Sequence, residues 1–339
     1  MRTFPAIASL LLLSTSVSAQ DSKITRTNLS DSLPPDVLAA VQKAVSTKTI
    51  YPVTGNEAFN GQILKADEIV FDSGATLTLS DLSKPWIVLI ANRWKFTDPK
   101  TPVKIRRAAR MAPAGGHGGD GNPGAHNPGE TNRRGNDGGN GEAGSSGGRG
   151  GTLQLPKIYI VGGSFTSPTG DPMPLRLTLE FSGIPGGNGG DGGAGGNGGN
   201  AGNGKEGATS AFDCKEGPGP GGNGGAGGAG GAGGDGGRGG NGADLIYISL
   251  AEGIEQLSYA RVVNVEGYGG MGGRPGRAGR PGDGGAGANN NGWCGPSGPG
   301  YPGEFPSPAD FGQGESGPDG KKGLVTAVTV GSLSPIFTP

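Results

Sequence analysis

Histidine and cysteine are nearly absent, two of each in 339 residues, and aromatic side chains make up only 6%. The histidines, His117 and His126, and the lack of any serine or cysteine in a nucleophile elbow leave little for acid–base or nucleophilic chemistry. Excess charge of either sign is missing too: 28 Lys and Arg face 29 Asp and Glu, a net charge of −1. That balance gives no electrostatic footprint for nucleic acid and no basic membrane patch. Beyond the first twenty residues no run is apolar enough to span a bilayer, so no transmembrane segment is expected.

Glycine fills the space instead. There are 76 Gly and 27 Pro, together about 30% of the chain, and the hydrophobic 32% is gathered into short blocks. A small, local core follows. Met1 and Arg2, an apolar stretch from Phe4 to Leu13 and the ending Val17-Ser18-Ala19 form a secretory leader, residues 1–19, with Gln20 first after cleavage. The expected location is therefore extracellular, cell-surface or periplasmic. In such a compartment the two cysteines, Cys214 and Cys294, favour a disulfide over free thiols or a metal.

The chain divides by pattern. Residues 20–49 are a polar leader and one short helix, opened by Pro34-Pro35-Asp36 and carrying Val37, Leu38, Val41 and Val45 on one stripe. Residues 50–110 start a β core, in which Gly61 to Phe96 shows turn residues every 8 to 10 positions between β-branched runs. This stretch resembles the first rungs of a β-solenoid. Then glycine tracts and β blocks alternate: 111–151, β at 152–182, 183–242, β at 243–266, 267–323, and a closing strand and tail at 324–339. The expected strand blocks are Leu153 to Val161 with Leu175 to Phe181, Leu245 to Leu250 with Tyr259 to Val265, and Leu324 to Val330. The fold class expected is mostly β, a small solenoid- or sandwich-like core with three glycine hairpins.

The tracts keep a period of three, which a flexible linker has no reason to hold. Glycine stands at 186, 189, 192, 195 and 198, again at 187, 190, 193, 196 and 199, and in matching double rows from 221 to 242. Polyproline II geometry, three residues per turn, turns Gly-Gly-X into two bare backbone faces and one face of X side chains. Such helices lack internal hydrogen bonds, and ordering glycine costs about 1–2 kcal/mol per residue, so order requires lateral partners. Disorder and a trimeric collagen-like stalk are the rival readings, the latter favoured by Arg274-Pro275-Gly276-Arg277-Ala278-Gly279. Against the stalk, each tract returns to a β block on the same chain. The period slips at 205–217 and at 288–294, close to the tract midpoints, and each slip holds a cysteine. Three hairpins, six helices and a Cys214–Cys294 staple between two tips are expected, with the first tract turning near Glu130 to Arg134. Closing that loop of about 80 residues is worth roughly 4 kcal/mol in the chain-entropy treatment.

The Gly-Gly-Asn-Gly-Gly-Asp and Gly-Gly-Ala-Gly-Gly-Ala runs resemble polyglycine II bundle proteins: the snow flea glycine-rich antifreeze protein, the glycine-rich tip domains of phage tail-fibre adhesins and mycobacterial glycine-rich surface repeats. The resemblance implies backbone geometry and no single function, because these families bind different things.

No cofactor or metal is expected. His117, Asp120, His126 and Glu130 cluster in sequence but read as solvated loop residues without ligand spacing. Asn188, Asp191, Asn197, Asn200 and Asn203 form a polar ridge expected to face water, and Ala226, Ala229 and Ala232 a small apolar one. The candidate binding residues are the tip aromatics Phe212, Trp293 and Tyr301. The functional expectation is a non-enzymatic, secreted structural or adhesion-type protein that meets a surface, glycan or protein through its tips; ice binding is the first alternative. A polysaccharide-acting solenoid enzyme is the second, needing paired carboxylates. Asp67, Glu68 and Asp72 are the available cluster, with Asp67 and Glu68 expected on opposite strand faces.

Overall fold

The computed structural model describes residues 24–45, 48–98, 100–167, 177–289, 292–307 and 312–337. The export leader and Leu175 fall outside the described residues. The regular secondary structure is mostly strand, with two large parallel sheets and few helices. In chain order the elements are β1 (Ile24–Thr27), α1 (Leu29–Ser32), α2 (Pro35–Lys43), β2 (Lys48–Val53), β3 (Asn56–Phe59), β4 (Ile63–Phe71), β5 (Thr76–Leu79), β6 (Trp86–Phe96) and β7 (Val103–Arg107). Then follow β8 (Glu130–Thr131), β9 (Arg134–Gly135), β10 (Lys157–Thr166), β11 (Leu177–Glu180), β12 (Ala208–Thr209), β13 (Cys214–Glu216), β14 (Leu245–Ser249), α3 (Ala251–Leu257), β15 (Arg261–Val263), β16 (Val325–Val330) and α4 (Ser334–Phe337).

The larger sheet has the order β1-β16-β14-β10-β6-β4-β2 and the smaller one β15-β11-β7-β5-β3. Successive strands alternate between them, so the chain winds as a coil and each turn lays one strand on each sheet. Because the pairing is parallel and in register, like positions stack in columns: Leu64, Leu89, Ile160 and Tyr247 form one, and Ile69, Trp94 and Phe165 another. Trp94 stacks on Phe165 at 5.6 Å and Phe71 on Phe96 at 5.6 Å between ring centroids. The interior is apolar, and the few hydrophobic residues of the chain are concentrated here.

The long strands bend midway. Residues 64 and 66 of β4 face the core, as do 69 and 71, so Asp67 and Glu68 both lie on the outer side of the bend. This corrects the expectation of opposite faces: the two-residue period is broken at the corner, where Asn92 and Arg93 repeat the break on β6. Glu68 is 7% exposed and pairs with Lys95 at 2.8 Å and with Arg93, which hold its carboxyl below the usual range against desolvation.

Helix α2 covers the outer face of the larger sheet, burying Val37 and Val41 against Val88, Ile90, Tyr159 and Val161. It stops at Lys43, short of Val45, which is 83% exposed. The stop is fixed by Lys65, whose Nζ reaches the free carbonyls of Val41 and Ala44 at the helix end. Helix α3 has no counterpart in the expected strand blocks. It packs against β10 and β14, and Gln256 accepts the Phe165 N–H at 2.8 Å. The block expected from Leu153 becomes strand only at Lys157.

Where the coil passes from the smaller sheet back to the larger, the first two turns are short, residues 60–62 and 80–85. At the same corner the next three turns are long glycine-rich excursions, residues 108–156, 181–244 and 264–324. Each has an outgoing and a returning limb. We denote these 1a (113–127), 1b (136–151), 2a (184–204), 2b (219–242), 3a (264–288) and 3b (298–307 and 312–323). Gly148 N–H donates to Gly116 O and Gly139 N–H to Ala125 O, so limbs 1a and 1b are antiparallel neighbours. Gly118 N–H donates to Asp191 O and Gly189 N–H to Met271 O, so 1a, 2a and 3a are parallel neighbours. Limbs 1b, 2b and 3b are linked likewise, and cross-donation such as Gly193 to Ser145 O and Gly276 to Gly231 O ties the two rows together.

Candidate functional site at the distal tips

The excursions turn at their far ends. The first does so through β8 and β9 around Asn132 and Arg133, both in the left-handed region with φ of 46° and 74°. The second turns through the β12 and β13 pair around Phe212, and the third around Gly292, φ 114°. A Cys214–Cys294 disulfide links the second and third tips across 80 residues. Cys294 is 2% exposed, tucked under the carbonyls of Glu216 and Ala208.

Sequence reasoning missed the link between the first and second tips. Arg133 Nε donates to Gly217 O at 3.0 Å, and its two terminal nitrogens reach Glu216 and the Glu206 carbonyl. Lys205 adds its N–H to Arg133 O at 2.9 Å and its Nζ to Glu130 at 3.4 Å.

The predicted aromatics divide. Phe212 is 87% exposed and Trp293 66%, and Trp293 Nε1 donates to the carbonyl of Ala211, the residue before Phe212, at 3.2 Å. Tyr301, 78% exposed, lies on limb 3b, three residues in from Gly298, with its N–H on Asn223 Oδ1. It sits on a broad face and not in the turn. The tip thus presents two large apolar surfaces on turns braced by a covalent bond and an arginine fork.

The other candidates are engaged within the fold. Asp120 Oδ1 accepts from Ala194 N–H at 2.7 Å, His126 Nδ1 from Asn200 N–H at 2.9 Å, and Glu130 pairs with Lys205. No group of three or more metal-ligating side chains occurs among the described residues. The polar ridge is solvent-facing on 2a, yet Asn188, Asp191, Asn197, Asn200 and Asn203 each turn Oδ1 onto an N–H of 3a. Asp67, Glu68 and Asp72 are not joined: Glu68 is committed to its two cations.

The disulfide accords with an extracellular protein, and no helix among the described residues is long and apolar enough to cross a membrane. No protein family matches the sequence, and no curated protein matches it either. Among solved structures, the springtail antifreeze protein from Granisotoma rainieri, described as a nine polyproline type II helical bundle whose crystal waters match the ice lattice, aligns at 24% identity. The alignment covers 55% of this chain and 92% of that one, and at a TM-score of 0.07 it carries no argument.

Proposed function

We propose that the six limbs are a polyglycine II bundle carried on a β-solenoid, and that the protein is a secreted, non-enzymatic adhesion-type module binding a glycan or protein through its tips. Support for the bundle comes from the three-residue ladder of lateral hydrogen bonds, the partners such backbones require. The observation that carries the function is the exposed Phe212 and Trp293 pair, held at the end farthest from the hydrophobic core by Cys214–Cys294 and Arg133. Large apolar side chains are kept in water at a rigid, loop-borne site when a partner is to cover them.

A glycan array probed with the full chain, alongside Phe212→Ala and Trp293→Ala, tests this. A specific ligand whose binding falls at least about tenfold in either variant is the expected result. Undiminished binding in both variants, or no ligand on glycan and extracellular-protein arrays, would overturn the tip assignment. The row Ala226, Ala229 and Ala232 favours ice binding as a second reading, because it leaves half-exposed methyl groups on a flat face. Thermal hysteresis of the purified protein decides that reading.

A further inference from the structure

Limb 3a departs from the Gly-Gly-X pattern. Its outward positions are Tyr268, Met271, Arg274, Arg277 and Arg280, and the second glycine of three triplets is replaced by Pro275, Ala278 and Pro281. Limb 3b donates to 3a at Gly303 to Gly282 O and at Gly314 to Gly273 O. Among the described residues none of 3b donates to Gly276 O or Gly279 O. Pro306, the residue of 3b in register with Gly279, has no N–H to donate.

The three arginines remain fixed. Their carbonyls accept from Gly192, Gly195 and Gly198, and the glycines that follow donate to Gly231, Gly228 and Gly225. All three side chains are exposed and none enters an ion pair among the described residues. Three residues at a rise of ~3.1 Å space the guanidinium groups about 9 Å apart in a straight row. Two steps before Arg274 on the same line stands Tyr268, 72% exposed, with Met271 between them. Asp191 Oδ1 is taken by the Arg274 N–H, Asp283 stands one triplet beyond Arg280, and limb 3b carries Glu304 and Glu315 next to the glycines that donate to 3a.

We infer that this ridge binds an extended, carboxylate-bearing polysaccharide lying along limb 3a. A guanidinium grips a carboxylate through two parallel hydrogen bonds, and an exposed tyrosine ring offers a face to the apolar side of a sugar. A rigid row with one positive charge every ~9 Å matches a stiff chain whose charges repeat over comparable distances. Duplex DNA, with a charge every ~1.7 Å, needs a continuous basic field, which a net charge of −1 does not supply. The ridge is on a broad face, apart from the tips, so the inference stands independently of the tip reading.

Binding of the full chain to polygalacturonate, with dextran as neutral control and duplex DNA as the competing polyanion, is the test. Saturable, salt-sensitive binding to polygalacturonate is expected, weakened at least about tenfold in Arg274→Gln/Arg277→Gln/Arg280→Gln and a few-fold in Tyr268→Ala. The opposite-face variant Arg149→Gln/Arg238→Gln, matched for chemistry, and the tip variant Trp293→Ala retain it. An intact Cys214–Cys294 bond in each variant reports folding. Absent binding to polygalacturonate, insensitivity to the triple substitution, or equal arginine-dependent binding to DNA would each overturn the inference.

Discussion

At the residue scale the outward asparagines and aspartates look like a recognition surface and behave as backbone caps. Each occupies the side of its limb where the next limb would otherwise show an N–H to water, and Asn197 to Arg280 or Asn241 to Lys321 are typical at 2.8 and 2.9 Å. The glycines answer a harder demand. A Cβ on Gly193 would stand 2.0 Å from Gly119 O, and one on Gly195 2.1 Å from Gly228 O, both backbone atoms with nowhere to go. Overpacking of this kind typically costs 1–3 kcal/mol, so Gly193→Ala should lower the melting temperature clearly, while Ala194→Ser, on the outward position, should stay within ~0.5 kcal/mol of wild type. Equal melting of the two variants would refute the close packing. Asp98 supplies a pH-dependent case. Thr101 Oγ1, the Lys100 N–H and Ser73 Oγ all donate to it and hold its carboxyl down to about 2. A depressed folded-state value means stabilisation that is complete above the ordinary carboxylate range near 4 and fades as pH falls toward 2. Thermal melts of Asp98→Asn should therefore lie below wild type at pH 6 and converge with it near pH 2; a gap independent of pH would exclude the carboxylate as its source.

At the element scale the two halves of the molecule are held by different forces. Strands β4, β6 and β10 bury leucine, isoleucine and stacked aromatic columns, whereas limbs 2a and 2b bury almost nothing but backbone. The distal parts are thus the low-stability end of the structure, and the loop closure of about 4 kcal/mol supplied by the disulfide acts on them first. Mild reduction should accelerate amide exchange in residues 200–222 and 283–300 and leave the β4, β6 and β10 amides protected. Uniform loss of protection would mean that bundle and core unfold as one unit. The same contrast explains what could be read from sequence at this scale. Alternating runs announced β4 to β6, and the helix stripe at Val37 and Val41 announced α2. Helix α3 was hidden because Ala251–Leu257 buries Ile254 and Leu257 against a corner made by β10, 91 residues away through Gln256. The corner at Asp67 was equally hidden, since its broken period is imposed by the turn of the coil and leaves no local mark.

At the scale of the whole molecule, the Cys214–Cys294 pairing followed from the count of two cysteines in a chain read as exported, and their place at the tips from the slips in the glycine period. Two matters did not. Nothing local in Ile24–Thr27 says that the first strand joins β16 at the opposite edge of the larger sheet from β2, with α1 and α2 crossing back between them. Arg133 was equally unmarked: its three contacts on the second tip exist only because consecutive excursions lie side by side. That side-by-side placement has a simple origin. All three excursions leave from one corner of the coil, so limbs 1a, 2a and 3a inherit the sequence of strands β7, β11 and β15 from which they start. Strand neighbours in a sheet stand ~4.8 Å apart, and only backbones stripped of side chains on two flanks can continue outward at such a pitch. The molecule therefore has two independent dimensions. Its width grows by one coil turn with its excursion, and its reach grows by triplets added equally to both limbs of neighbouring excursions. Relatives of this chain could vary in breadth and in projection separately, like a comb whose tooth count and tooth length are set by different parts of the gene.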